Sequence, residues 1–168
     1  MTESNIILSH EQVMRKIRRI AFEIYEQNFE EKEVIFAGIV GGGYELAKLL
    51  QKEFSAISPL NNSLLKVTLD KKAITQTFIE LDQPLEELND KVIIIVDDVL
   101  NTGKTLVHSL KPFLNISVNK LQIAVLVDRN HRSFPVSADY TGYELSTTIQ
   151  EHIEVILEDT NDISVTLF

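Results

Sequence analysis

Cysteine is absent from the 168 residues of this chain, so neither a disulfide framework nor a thiolate metal site is available to it. No apolar run approaches the roughly 20 residues that span a bilayer, so no membrane partner is expected. The opening MTESNIILSHEQ has an early acid, no basic segment and a three-residue apolar patch, so no secretory signal is expected. Positive charge is scarce as well: 16 Lys and Arg stand against 25 Asp and Glu, a net charge of −9. Such a balance weighs against non-specific nucleic-acid binding, RNA included, which relies on clustered Lys and Arg. One basic cluster, Arg15, Lys16, Arg18 and Arg19, reads as the solvated face of a helix. Internal repeats and low-complexity tracts are missing too. These absences leave a cytoplasmic enzyme, one domain over residues 1–168, as the expectation.

Three apolar runs, Glu33 to Val40, Lys91 to Val96 and Leu121 to Val127, are separated by helical patterns. Strands that are apolar without alternation are buried on both faces, which indicates an α/β fold with a parallel, Rossmann-like sheet covered by helices on both faces. Ser9 and Gln12 have capping-box spacing, and Val13, Ile17, Ile20, Ala21 and Ile24 follow at helical period, so a helix is predicted over residues 10–28. Further helices are predicted over 44–54 and 103–114. Short strands are predicted at 64–69, 74–81, 140–145, 152–157 and 163–168, with an acidic connection at 82–90.

In parallel sheets ligands sit at the carboxyl ends of the strands. The chain's unusual loops fall there: Gly41-Gly42-Gly43, Asp97 to Thr105, and Asp128 to Arg132. The stretch Asn101-Thr102-Gly103-Lys104-Thr105 lies between a strand and a helix, where backbone N–H groups and the helix dipole favour an anion. By itself it is also an ordinary helix cap followed by a basic residue. The phosphate-loop motif fails because Asp98 occupies the position of its first glycine, and the dinucleotide fingerprint G-x-G-x-x-G fits neither from Gly41 nor from Gly38. Asp97 and Asp98 precede the loop. On an extended chain they point to opposite faces, which suits two carboxylates that each accept hydroxyls or help hold a hydrated cation. A diol next to a phosphate describes a ribose 5-phosphate. A polar loop holding His131 is, taken alone, a surface turn.

The stretch VDDVLNTGKT resembles the ribose-phosphate signature of type I phosphoribosyltransferases. Ile123 to Gly142 (IAVLVDRNHRSFPVSADYTG) is similar to the branch of bifunctional pyrimidine-operon attenuators that also act as uracil phosphoribosyltransferases. The resemblance covers essentially the whole chain and is weakest over 55–90. It implies the type I fold with a small hood region, and transfer of a phosphoribosyl group from 5-phosphoribosyl 1-pyrophosphate, with Mg²⁺, to a nucleobase. Uracil is favoured. The alternatives are a nucleotide-sensing regulator with little turnover, or hypoxanthine and guanine salvage.

By this resemblance Asp97 and Asp98 form the catalytic pair that holds the ribose hydroxyls and the metal, directly or through water. Asn101, Thr102, Gly103, Lys104 and Thr105 hold the 5-phosphate. Gly41, Gly42 and Gly43 offer N–H groups to pyrophosphate, assisted by Lys71 and Lys72. Asp128, Arg129, His131, Arg132 and Ile149 form the base pocket. A homodimer is implied by analogy. The chain departs from the pattern where the attenuators carry Thr and Arg, at Gly41 and Gly42, and so lacks a bidentate anion clamp there. Asn101 replaces an acid of the 6-oxopurine enzymes, and Asp128 replaces their Lys. Both differences argue against purines.

Overall fold

The computed structural model describes residues 4–75, 78–159 and 161–168. Helix α1 (His10–Asn28) starts as the capping box predicts: Ser9 Oγ accepts the Gln12 N–H, and Gln12 Oε1 accepts the Ser9 N–H at 2.9 Å. Its apolar stripe, Val13, Ile17, Ile20, Ala21 and Ile24, is fully buried. Strand β2 (Glu33–Ile39) runs into helix α2 (Gly42–Ile57), which begins at the glycines rather than at Tyr44. Strand β3 (Asn61–Thr68) is parallel to β2 from the Glu33↔Asn61 pair onward, so it starts earlier than its apolar residues suggest.

The strand predicted over 74–81 is not formed as such. Among its described residues only β4 (Glu80–Leu81) pairs, antiparallel to β3, while Ile74 and Phe78 are 87% and 75% exposed. The ladder has no partner to offer further along because β3 ends at Thr68 and the chain turns at Asp70–Ala73. Residues 76 and 77 of that stretch lie outside the described residues. The acidic connection holds one 3-10 turn, Leu85–Leu88.

Strand β5 (Val92–Leu100) and strand β6 (Lys120–Asp128) carry the longest buried runs. Between them helix α3 (Lys104–Leu110) gives way to a 3-10 turn at Lys111–Asn115, because Pro112 cannot continue an α-helix ladder. Strand β7 (Tyr140–Glu144) completes a sheet of order β4-β3-β2-β5-β6-β7, parallel except for β4. Alternate residues of each central strand enter different cores. Phe36, Ile94 and Val96 pack with α1 and α2, whereas Ile35, Ile95 and Leu106 pack on the α3 side.

Strands β1 (Asn5–Leu8), β8 (Ile153–Ile156) and β9 (Ser164–Leu167) form a small antiparallel sheet of order β1-β9-β8. Strand β1 is absent from the sequence reading, since three apolar residues carry no period. Leu8, Ile153, Leu157 and Val165 bury against the core shared by α1 and α2, which sets this sheet over the carboxyl end of the large one. No helix among the described residues is long and apolar enough to cross a membrane.

Candidate active site

The chain leaves β2 toward β3 on one side and returns to β5 on the other. The strand order therefore reverses between β2 and β5, the place where open α/β sheets bind ligands. A cavity of about 280 Å³ opens there, lined by Lys71 and residues 97–106. The two carboxylates do not diverge as an extended chain would have them. Asp97 Oδ1 accepts the Asp98 N–H at 3.0 Å and the Lys71 ammonium at 3.3 Å, and a Cβ at Gly43 would sit 3.1 Å from the same oxygen. Asp98 Oδ2 lies against Gly42, where a Cβ would come within 2.1 Å of it. Both acids thus converge on the first turn of α2, and the expectation of opposite faces is corrected. Strand alternation governs Cβ directions, but a carboxylate at a strand end can fold back over its own backbone.

Burial pushes the Asp97 carboxyl up to about 7; the neighbouring Asp98 charge adds to the effect and Lys71 opposes it. Gly42 is required by this geometry, because any side chain would displace the Asp98 carboxylate. An Arg at position 42, as in the attenuator pattern, is incompatible with Asp98 placed here. The loop is therefore an all-backbone cradle, with Gly41 at φ +95° before the first helical turn. On the far side of Asp98 a second cavity of about 250 Å³ is lined by Gly42, Glu45, Asp98 and residues 155–158 of the small sheet.

The loop over residues 101–105 is braced from outside. Gly103, at φ +87°, passes so close to Val136 that a Cβ would meet its Cγ1 at 2.4 Å. Thr102 O accepts the N–H groups of Ser133 and Phe134 at 2.9 and 3.1 Å. Lys104 N donates to Thr102 Oγ1, while Lys104 Nζ reaches across to Ala73 O at 2.8 Å. With Lys71 on Asp97, this second contact docks the segment after β3 onto the site. Lys72 is exposed, and its N–H donates to Asp70.

In the loop after β6, Asp128 is buried and accepts Arg132 at 2.6 Å and the Asn130 N–H at 2.9 Å. His131 Nε2 contacts Thr147 O. Arg129 donates to Asn101 Oδ1 at 2.9 Å, Thr147 Oγ1 at 2.9 Å, Glu151 O at 2.7 Å and Thr148 O at 3.4 Å. Residues 128–132 are thereby tied to loop 147–151 and to the rim of the cavity. Ile149, expected in the base pocket, is 91% exposed and outside the cavity lining. The bracing by Thr147, Glu151 and Val136 escaped sequence reading, since loop-to-loop hydrogen bonds leave no local pattern.

Residues 3–160 match the phosphoribosyl transferase domain model. The chain belongs to the phosphoribosyltransferase family. It is 35% identical to the "Bifunctional protein PyrR" of Bacillus pumilus (strain SAFR-032), covering 97% of each chain, and 34% identical to that of Alkaliphilus metalliredigens (strain QYMF), covering 94% and 90%. Among solved structures it is similar to the hypoxanthine phosphoribosyltransferase of Trypanosoma cruzi, with a TM-score of 0.78 and 15% identity over 96% and 95% of the two chains. A hypoxanthine-guanine phosphoribosyltransferase from Bacillus anthracis gives 0.77 and 18% over 95% and 96%. At such identities these two structures establish the phosphoribosyltransferase fold alone.

Among the described residues no group of three or more His, Asp or Glu is gathered to hold a metal. Asp97 and Asp98 do fit one: a crowded, partly neutralised carboxylate pair already attracts an ammonium, and two carboxylates leave the remaining positions of an oxygen-ligated cation to substrate and water.

The basic cluster of α1 lies elsewhere. Arg15 pairs with Glu11 and Arg19 with Glu23, and Arg19 also donates to Thr141 O and Gly142 O. Lys16 and Arg18 lie over the rings of Tyr143 and Phe22.

Proposed function

We propose that this phosphoribosyltransferase transfers the 5-phosphoribosyl group from 5-phosphoribosyl 1-pyrophosphate to uracil, with release of pyrophosphate, in the cytoplasm and as a homodimer. The observation that carries the reading is the convergence of Asp97 and Asp98 with the loop 101–105 around one cavity. Asp97 and Asp98 accept the ribose hydroxyls, and the N–H groups of residues 102–105 with the Thr102 and Thr105 hydroxyls hold the 5-phosphate. The first turn of α2 faces the pyrophosphate with backbone N–H donors. The bond from C1 to pyrophosphate breaks as the base nitrogen bonds to C1 and gives up its proton to solvent, and the two carboxylates lie where positive charge develops on the sugar, so positioning and electrostatics supply the rate. Mg²⁺, held by Asp97 and Asp98 directly or through water, would neutralise charge on the pyrophosphate. Lys71 and Lys72 are close enough in the chain to supply further cations once the segment after β3 moves.

The acid-lined cavity beside Gly42, with no Arg in the glycine cradle, favours a second reading: a regulator that binds nucleotide with little turnover. RNA belongs to that reading, and the −9 charge and the internally paired Arg15 and Arg19 weigh against it. The test is pyrophosphate release from the sugar pyrophosphate and Mg²⁺ with each of uracil, hypoxanthine, guanine, xanthine and adenine. Turnover with uracil above the purines is the expected result. Binding by calorimetry without turnover on any base would replace the enzyme by the regulator.

A further inference from the structure

We propose that the turn at Asp70–Ala73 plugs the site from within: Lys71 holds Asp97, Lys104 latches the turn, and an anion arriving at the loop 101–105 draws Lys104 away and frees Asp97. The release step rests on the reading of that loop as a phosphate cradle, whereas the plug stands on contacts in the structure. Ala73 N–H donates to Asp70 O at 3.2 Å and Lys72 N–H to Asp70 Oδ1 at 2.9 Å, so residues 70–73 form one closed turn. That turn carries two contacts with the cavity wall. The Lys71 ammonium lies on Asp97 Oδ1 at 3.3 Å, and the Ala73 carbonyl accepts the Lys104 ammonium at 2.8 Å. The apolar side chains that follow the turn, Ile74 and Phe78, are exposed, so apolar packing does little to hold it in place.

Taken singly, an exposed ion pair or hydrogen bond of this kind counts for little. Here the Asp97 side chain is only 4% exposed, so water competes weakly with the Lys71 ammonium for it. Both contacts also belong to one short turn, so forming either raises the effective concentration of the other. They therefore form and break together. Lys104 and Lys71 line the same cavity as residues 101–105. A neutral carbonyl is a weaker acceptor for an ammonium than a phosphate oxygen, because hydrogen bonds between opposite charges are the strong ones. Lys104 thus leaves Ala73 for a phosphate held by the loop, the turn loses its latch, and Lys71 leaves Asp97 open to a hydrated cation. An order of binding follows, anion before cation. Until the anion arrives, the acid pair is shielded from free divalent cations by the chain's own lysine.

The test is a cycle of wild type, Lys71→Ala, Lys104→Met and the double variant, with free Mn²⁺ measured by electron paramagnetic resonance and no substrate present. Removing a lysine near two carboxylates favours a cation through charge alone, and that effect adds independently in the two backgrounds. A latch does not add. Lys104→Met should tighten Mn²⁺ binding at least about threefold more in the wild-type background than beside Lys71→Ala, where nothing is left to release. Equal effects in the two backgrounds overturn the plug. Release is read by trypsin, which cuts after Lys71 and Lys72. Inorganic phosphate should speed cleavage there at least about threefold in wild type, by raising the open population, whereas Lys104→Met should be cut fast with or without it. Cleavage that phosphate slows or leaves unchanged, although calorimetry shows phosphate bound, overturns the release step. No phosphate binding by calorimetry removes the cradle reading and the release step together, and the Mn²⁺ cycle then decides the plug by itself.

Discussion

Replacing Asp97 by Asn should stabilise the empty protein at neutral pH while abolishing binding of the sugar pyrophosphate. Asp97 is 3% exposed, sits against Asp98, and has its carboxyl pushed up from 3.8 to about 7. A carboxyl whose pKa is raised by folding holds its proton more tightly in the folded state. Stability is then greatest below the unfolded pKa, declines as pH rises from about 4 to about 7, and is level beyond. Three units at about 1.4 kcal/mol each set a ceiling of about 4 kcal/mol at pH 7 and about half of that at pH 5. Asparagine removes this titration. Its amide oxygen can still accept the Asp98 N–H, and its amide nitrogen can donate to the Asp98 carboxylate.

Lys71 loses an anion in the variant, but its side chain is 41% exposed and regains water at little cost. The expected gain is about 2–4 kcal/mol at pH 7, or roughly 5–15 °C in melting temperature for a chain of this size. Differential scanning fluorimetry at pH 5, 6, 7 and 8 reads it, with Mg²⁺ added in a parallel series. The gap between variant and wild type should widen from pH 5 to pH 7, and Mg²⁺ should narrow it by stabilising only the wild type. A variant that melts at or below wild type at pH 7, or a gap that does not change with pH, would refute the reasoning.

Gly42→Ala should lower sugar pyrophosphate affinity by at least about tenfold, since a Cβ 2.1 Å from Asp98 Oδ2 must displace that carboxylate; an unchanged calorimetric affinity would show that Asp98 is not needed where it lies. Lys71→Ala with Lys72→Ala should raise the apparent KM for the sugar pyrophosphate, and an unchanged value removes both lysines from the site. The same double variant should bind Mn²⁺ more tightly when no substrate is present, because Lys71 no longer competes for Asp97. Electron paramagnetic resonance of free Mn²⁺ measures this, and equal affinity would show that the ammonium and the metal do not share that carboxylate.

Much of the scaffold was legible in local pattern. The Ser9 and Gln12 capping box, the helical stripe of α1 and the unbroken apolar runs of β2, β5 and β6 act within a few residues or through a single period, so the parallel sheet and the loops at its carboxyl end could be inferred before any coordinates. The strand expected at 74–81 failed for a complementary reason. Its alternation is genuine, but a strand needs a neighbour, and β3 ends before one is available. Strand β1 escaped notice because four residues paired only with β9, at the other end of the chain, show no period.

For the site, the VDDVLNTGKT stretch by itself determined that two acids and the loop 101–105 lie side by side, since both belong to one strand and the turn after it. Tertiary structure decided how they act. It brought both carboxylates onto the first turn of α2, raised the Asp97 pKa by burying it beside a like charge, and left no room for a side chain at position 42. It also turned the Asn101 amide by means of an arginine 28 residues away. Local order follows from covalent neighbours and periodicity, whereas charge state and hydrogen-bond polarity follow from whatever groups the fold packs against a side chain.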